Sequence, residues 1–297
     1  GHDEPVYVLD LGMEPWQRGL LAGEATVVEA PPGTEPWLAK TVAPLAHPAE
    51  TMVLIDADII VVKPLGELIG RAAEGRVVAI ENDVDRFDPR WGHTLGLGTL
   101  ERRPYVSSGL VALGGEAGRE VLRLLDERQR RADVERSHFG ADEREYELRF
   151  LDQDVLNAIL ASRVEADRVV ALDSRHSAVT PFGGLEVRDE IAMRCAFPDG
   201  FEPWIVHYIL PAKPWQRPMY HGPYSVLLQR VLTGPGLAIE VPRERIPMRF
   251  RDGVGGRLER GRIHARDRLG WRARALVPDD VLGRLDDWRR RRAVVRR

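Results

Sequence analysis

The segment from Met52 to Val62 constrains this chain most. Two runs of four apolar residues, Met52-Val53-Leu54-Ile55 and Ile59-Ile60-Val61-Val62, are separated only by Asp56-Ala57-Asp58. The first of these reads as an apolar β run ending at Asp56, which commits the chain to a sheet here. Two carboxylates set in so much apolar surface are expensive to bury unpaired. Two residues apart at a strand end, their side chains point the same way, and hard oxygen ligands of this kind suit Mg²⁺ or Mn²⁺. The competing explanation is a strand-end turn with two solvated aspartates, and a three-residue motif does not decide between them.

The surrounding pattern alternates strands with helices. Val6–Leu9, Thr26–Glu29, Met52–Ile55, Val77–Glu81, Val106–Leu113, Val169–Leu172 and Trp204–Tyr208 read as strands. Pro15–Leu21, Trp37–Leu45, Gly118–Arg131 and Asp152–Leu160 read as helices, and the polar, Gly-rich stretch Asp83–Glu101 as a surface loop. Residues Asp133–Glu147 are charged and read as a mobile loop. This alternation predicts an α/β sheet domain over residues 1–217. After Pro218 the pattern changes, and residues 218–297 form an Arg-rich, partly helical extension. Its last stretch, Asp279–Arg292, places Val281, Leu282, Leu285 and Trp288 on one helical side.

Two more motifs carry chemistry. In Phe150-Leu151-Asp152-Gln153-Asp154-Val155-Leu156-Asn157, Asp152 sits where an N-cap would accept orphan helix N–H groups, and Asp154 where a carboxylate answers the helix dipole. In Ile205-Val206-His207-Tyr208-Ile209-Leu210-Pro211-Ala212-Lys213-Pro214-Trp215, His207 at a strand end can ligate a metal through a neutral imidazole, and Lys213 can neutralise phosphate. Taken singly, a structural histidine and a solvated lysine explain these residues equally well.

Together and in this order, the three motifs resemble glycosyltransferase family 8, the group of bacterial lipopolysaccharide galactosyl- and glucosyltransferases and the glycogenins, over roughly Val6 to Trp215. The resemblance implies a GT-A fold, a single Rossmann-like mixed sheet flanked by helices. It implies transfer of galactose or glucose from a UDP-sugar to a hydroxyl acceptor with retention of configuration. Asp56, Asp58 and His207 match the family's protein ligands for Mn²⁺ (or Mg²⁺), which bridges the donor diphosphate. Lys213 matches the lysine on that diphosphate, and Lys40 the basic residue that reaches the donor. Asp152 and Gln153 match the pair beside the donor sugar, and Ala57 would touch the nucleoside through its backbone.

Three departures accompany the resemblance. Ser107 stands where the family usually has asparagine, leaving a shorter hydroxyl for sugar contacts. Leu210 stands where a glycine lets backbone N–H approach phosphate, and a side chain restricts the backbone there. The family's first strand and helix have no counterpart before Gly1. These departures keep open a catalytically impaired binding protein with the same fold, or another metal-dependent nucleotide-diphosphate transferase. A P-loop NTPase is disfavoured, since no Gly-x-x-x-x-Gly-Lys-Ser/Thr occurs.

Charge and composition bear on partners. Basic residues are almost all arginine, with lysine only at Lys40, Lys63 and Lys213. From Glu240 onward eighteen arginines face nine acidic residues, a balance of +9, which leaves −12 for residues 1–239 within the total of −3. An acidic body with a basic tail bearing an apolar stripe leaves two readings open: peripheral contact with an anionic membrane, or a tail folded back onto the body with its arginines paired to carboxylates. The expected setting is cytoplasmic, with the membrane reading of the tail placing it at the inner face, and the expected acceptor is a glycan or lipid-linked glycan. No nucleic acid is expected, because the arginines lack interleaved aromatics. No apolar run reaches the ~20 residues a spanning helix needs. The single cysteine, Cys195, excludes an internal disulfide. The chain opens at Gly1 rather than Met, which leaves open a preceding segment, a removed targeting one included.

Overall fold

The structure, a computed structural model, describes residues 3–210, 212–220 and 222–275, and the side chains of these up to residue 268. In chain order the elements are β1 (Tyr7–Asp10), α1 (Pro15–Leu21), β2 (Thr26–Glu29), α2 (Val42–Ala46), β3 (Thr51–Ile55), β4 (Ile59–Val61), α3 (Gly66–Ala73), β5 (Val77–Glu81), α4 (Arg90–Thr94) and β6 (Val106–Gly114). They continue as α5 (Gly115–Gln129), α6 (Asp152–Arg163), β7 (Val169–Leu172), β8 (Ser177–Val179), β9 (Glu186–Asp189), β10 (Arg194–Ala196), β11 (Ile205–His207), α7 (Gly222–Thr233) and α8 (Val254–Ala275).

The result is a mixed α/β fold, as the alternation predicts. Its centre is a four-stranded sheet in the order β3-β6-β5-β7, antiparallel across β3-β6-β5 and parallel at β5-β7. Strand β6 is apolar on both sides because both faces of this sheet are covered. Val111 and Leu113 join Val121, Leu125, Val155 and Ile159 from α5 and α6 on one face. Leu110 and Ala112 meet Leu68 and Ala72 of α3 on the other. Each such large aliphatic side chain removed from water contributes roughly 1.5–3 kcal/mol.

A second sheet, β4-β11-β8, runs antiparallel at β4-β11 and parallel at β11-β8. Behind it Ile60, Val206 and Ala178 pack with Cys195, Tyr208 and, from α7, Tyr224 and Leu227. Strands β1 and β2 pair in parallel as a separate two-stranded sheet joined through α1, and among the described residues β3 pairs only with β6.

Asp56-Ala57-Asp58 therefore lies where the chain leaves the central sheet and enters the second one. It is a turn closed by the Ile59 N–H on the Asp56 carbonyl (3.2 Å), so alternation along one strand is not what aligns its carboxylates. The apolar run is two strands belonging to two sheets.

Other elements differ from the sequence-based expectation. The stretch 83–101 is not merely a surface loop. It contains α4, and Trp91, Leu95 and Leu97 are buried in the main core. The Trp91 indole N–H donates to the Glu147 carbonyl (2.6 Å), which anchors it. Residues 133–147 form successive turns pinned by buried Tyr146, whose hydroxyl accepts from the Asp133 N–H (2.6 Å). The helix expected at Asp279–Arg292, with the apolar stripe of the basic tail, lies outside the described residues. Among the described residues no helix is long and apolar enough to cross a membrane.

Candidate metal and donor site

Strand pairing sets the site. His207 ends β11 opposite Ile59 of β4, one residue past Asp58, and its Nε2 lies 3.1 Å from Asp58 Oδ1 and 3.9 Å from Asp56 Oδ2. Asp56 is fixed on the other side by β6, where its N–H donates to the Gly109 carbonyl (2.9 Å). One candidate ligand atom from each of Asp56, Asp58 and His207 lies within 4.8 Å of the others. Ala57, between the two carboxylates, is exposed at the turn.

Two lysines engage these carboxylates. Lys40 sits on a 3₁₀ turn, Pro36–Thr41, and its Nζ is 2.8 Å from each of three oxygens, Asp56 Oδ1, Asp152 Oδ2 and the Ser108 carbonyl. Lys213 Nζ donates to Asp58 Oδ2 and to the Tyr208 carbonyl (2.7 Å). Three carboxylates thus face two ammonium groups, which leaves the cluster short of positive charge.

Burial and charge pull on these groups in opposite directions. Burial disfavours the Lys40 ammonium, but Asp152 and then Asp56 outweigh it and hold its pKa above the ordinary lysine value. Burial raises the pKa of Asp56; Lys40 opposes the rise and the like charge of Asp152 adds to it. Burial also acts to raise Asp58, yet the bonds from His207 and Lys213 prevail and bring it down to about 2. Asp58 is thus held ready as an anion, and Asp56 is the carboxylate with more to gain from an added cation.

The residues present fit a divalent ion. Two carboxylate oxygens and an imidazole nitrogen suit Mn²⁺ or Mg²⁺. The surroundings leave no spare space at the histidine. A Cβ on Gly109 would lie 2.7 Å from His207 Cε1 and 3.4 Å from Asp56 Oδ2, so only glycine lets the ring and the carboxylate share this side of β6. Asp56, Asp58 and His207 would hold the ion.

Asp152 and Gln153 begin α6, and here the structure corrects the capping expectation. The N-cap position is Leu151, and no side chain caps the helix. Leu151 is fully buried with φ +48, a conformation uncommon for a non-glycine residue. The turn it makes delivers the Asp152 carboxylate to Lys40 instead of to its own helix. Gln153 Oε1 accepts from the Ser108 N–H (3.3 Å) and its Nε2 donates to the Tyr105 hydroxyl (3.1 Å).

The structure therefore brings Lys40, Asp56, Asp58, Asp152, Gln153, His207 and Lys213 into one connected group. Ser107 lies beside it on β6, its hydroxyl accepting from the Gly109 N–H (3.2 Å). The Leu210 side chain is exposed, on the stretch of chain between His207 and Lys213. Sequence reasoning missed Tyr105, Ser108, Gly109 and Arg86, which frame the group. A cleft of about 420 Å³ lies elsewhere, between the end of α7 and residues 235–252, with Arg243, Arg251, Glu240 and Asp252 on its walls. It shares no residue with the cluster.

No family model and no curated protein matches this sequence. Among solved structures the chain is similar to the apo-form glycosyltransferase GlyE of Streptococcus pneumoniae TIGR4, at 16% identity over 71% of this chain and 48% of that one, with a TM-score of 0.42. A second GlyE structure gives 18% identity over 72% and 49%, with a TM-score of 0.38. A glycosyltransferase involved in glycosylation of the major capsid of PBCV-1 gives 12% identity over 71% and 95%, with a TM-score of 0.38. The chain spans about half the length of the GlyE chains it matches.

Proposed function

We propose that this chain is a metal-dependent GT-A glycosyltransferase. It moves a hexose, galactose or glucose, from a UDP-sugar to a hydroxyl of a glycan or lipid-linked acceptor, with retention. The observation that carries the reading is the convergence of Asp56, Asp58 and His207 with Lys213 on one side and Lys40, Asp152 and Gln153 on the other. Metal ligands, a cation for phosphate and polar groups for a sugar are what loss of an anionic diphosphate requires.

When bound, Mn²⁺ supplies positive charge against the diphosphate oxygens. Lys213, already next to Asp58, adds a compact ammonium to the leaving group as its charge grows. The acceptor oxygen bonds to the anomeric carbon as the bond to the diphosphate oxygen breaks on the same face, and the acceptor proton passes to that departing oxygen. Asp152 shares its charge with Lys40 through Oδ2, which weakens it as a covalent nucleophile and leaves Oδ1 as the oxygen such a route would use. Gln153 is a neutral amide and serves to shield developing positive charge at the sugar. Front-face displacement follows better from these two residues than a glycosyl-enzyme does.

Hydrolysis or transfer from UDP-glucose and UDP-galactose, measured with Mn²⁺ and with EDTA, tests the proposal. Activity should require the metal and vanish in Asp58→Asn while the fold is retained. Undiminished activity in EDTA would exclude it. A second reading, a donor-binding protein without turnover, draws support from the Ser107 hydroxyl, which is engaged by its own strand. Tight UDP-sugar binding with no product would favour that reading.

A further inference from the structure

Behind Gln153 lies a buried polar network that the proposed reaction does not use directly. Asp154, on the next residue of α6, is completely buried. Its Oδ1 accepts from the Tyr105 hydroxyl (2.7 Å) and from Arg86 Nε (2.9 Å), and its Oδ2 from the Phe150 N–H (2.8 Å). Arg86 also donates to the Tyr146 and Glu147 carbonyls, which locks the guanidinium in place. Three donors, one of them a guanidinium, converge on this carboxylate, so it acts as an acceptor towards all of them.

That arrangement dictates which way Gln153 points. A carboxylate acceptor takes the only hydroxyl proton of Tyr105, so the Tyr105 oxygen has only lone pairs left to offer. The end of the Gln153 amide that meets it must be a donor, the NH₂, as the 3.1 Å contact has it. The carbonyl end is then turned to the Ser108 N–H, whose own residue's carbonyl receives Lys40. A flipped amide would set carbonyl against lone pair at one end and NH₂ against N–H at the other.

We infer that Tyr105 and Asp154 are positioning residues that fix the Gln153 amide with its carbonyl oxygen, not its NH₂, turned to the Lys40 side of the site. This rests on the glycosyl-transfer reading for its consequence. A carbonyl dipole stabilises positive charge developing on the sugar, whereas the flipped amide would oppose it. The polarity of that dipole is thus set by a carboxylate that never meets the substrate.

Tyr105→Phe is the diagnostic variant, because it removes one hydroxyl and keeps the ring packed beside Trp91. Asp154→Asn is less informative, since it also deprives Arg86 of its buried counter-ion. In Tyr105→Phe, kcat should fall ~10-fold or more, the scale of a misplaced catalytic group. Donor KM and Mn²⁺ affinity should stay within about twofold, as for a contact that matters only in the transition state. In a Gln153→Ala background the same change should have no further effect on kcat, as two residues acting through one another require. An equal loss in both backgrounds, or a kcat within about twofold of wild type, overturns the inference. Side-chain amide NMR supplies a readout free of activity. The ¹⁵N-labelled Gln153 NH₂ pair, assigned by its loss in Gln153→Ala, should be exchange-protected in wild type and lose protection in Tyr105→Phe. Inactive wild type with this NMR signature would refute the reaction but not the positioning, and unchanged protection would refute the positioning itself.

Discussion

Gly109 lies against the ring of His207 so closely that a Cβ on residue 109 would stand 2.7 Å from Cε1 and 3.0 Å from Nδ1. Contacts that short do not persist, and the added methyl would meet an imidazole rather than a flexible chain end. Gly109→Ala should therefore displace His207 and weaken Mn²⁺ binding by ~10-fold or more, comparable to disturbing a metal site's supporting residues. Far-UV circular dichroism should stay unchanged, because residue 109 needs no left-handed backbone. Mn²⁺ titration followed by thermal shift checks this, and a wild-type response would remove His207 from the ligand set.

Lys213 should show opposite effects on two ligands. It is paired with Asp58 Oδ2, and removing its charge leaves the carboxylate pair more anionic, so Lys213→Ala should bind Mn²⁺ alone at least as tightly as wild type does. The same substitution should lower turnover by ~10²-fold, the scale for losing one electrostatic partner of a developing charge. Isothermal titration with Mn²⁺, beside a donor-turnover assay, separates the two. Parallel losses in both would mean that Lys213 merely supports the fold.

Acid titration of the metal-free protein should reveal Asp58. Its folded pKa of about 2 lies below the ordinary 3.8, so ionised Asp58 stabilises the fold above about pH 4. That contribution is lost as pH falls through the interval towards 2, and it amounts to about 2 kcal/mol. Urea denaturation in EDTA, at steps between pH 5 and pH 2, should show the gap between wild type and Asp58→Asn narrowing by roughly that amount. A gap that stays constant with pH would contradict the assignment.

Cys195 offers a test of the second sheet's packing. The thiol is buried among Val206, Tyr208 and Leu227, and burial pushes its pKa up to about 11. Since the thiolate is the reactive form, a thiol-specific disulfide reagent at pH 8 should leave the native chain unmodified and label it once on denaturation. Rapid labelling of native protein would show that this core opens readily.

The strands of the central sheet and the residues that meet in the site could be read from the sequence, because apolar runs and polar interruptions are local signals. Thr26–Glu29 and Val169–Leu172 form strands over the very residues their composition suggests. What the sequence hid was non-local. Strands β4 and β8 are three residues each, too short to show a period, and they are strands only because each pairs with β11, which the sequence did show. Tyr105 looks like one more core aromatic, and Asp154 like a residue placed for the helix dipole, until Arg86 arrives from 68 residues away. The N-cap expectation for Asp152 failed for the same reason, since Lys40 lies 112 residues distant.

Because Asp56 follows the last residue of β3 in one sheet, while Asp58 precedes β4 and His207 ends β11 in the other, the candidate ligands span a mechanical joint. A cation held there would act as a rivet across it, and the Lys40 and Lys213 ammonium groups are weaker fasteners on either side. Slippage between the two sheets would register first as a change in ligand spacing, long before any helix unwound. The grip on the ion is therefore a gauge of how firmly the halves are seated, and a variant loosened far from the cluster, at the Val206–Leu227 contact for example, should betray itself there.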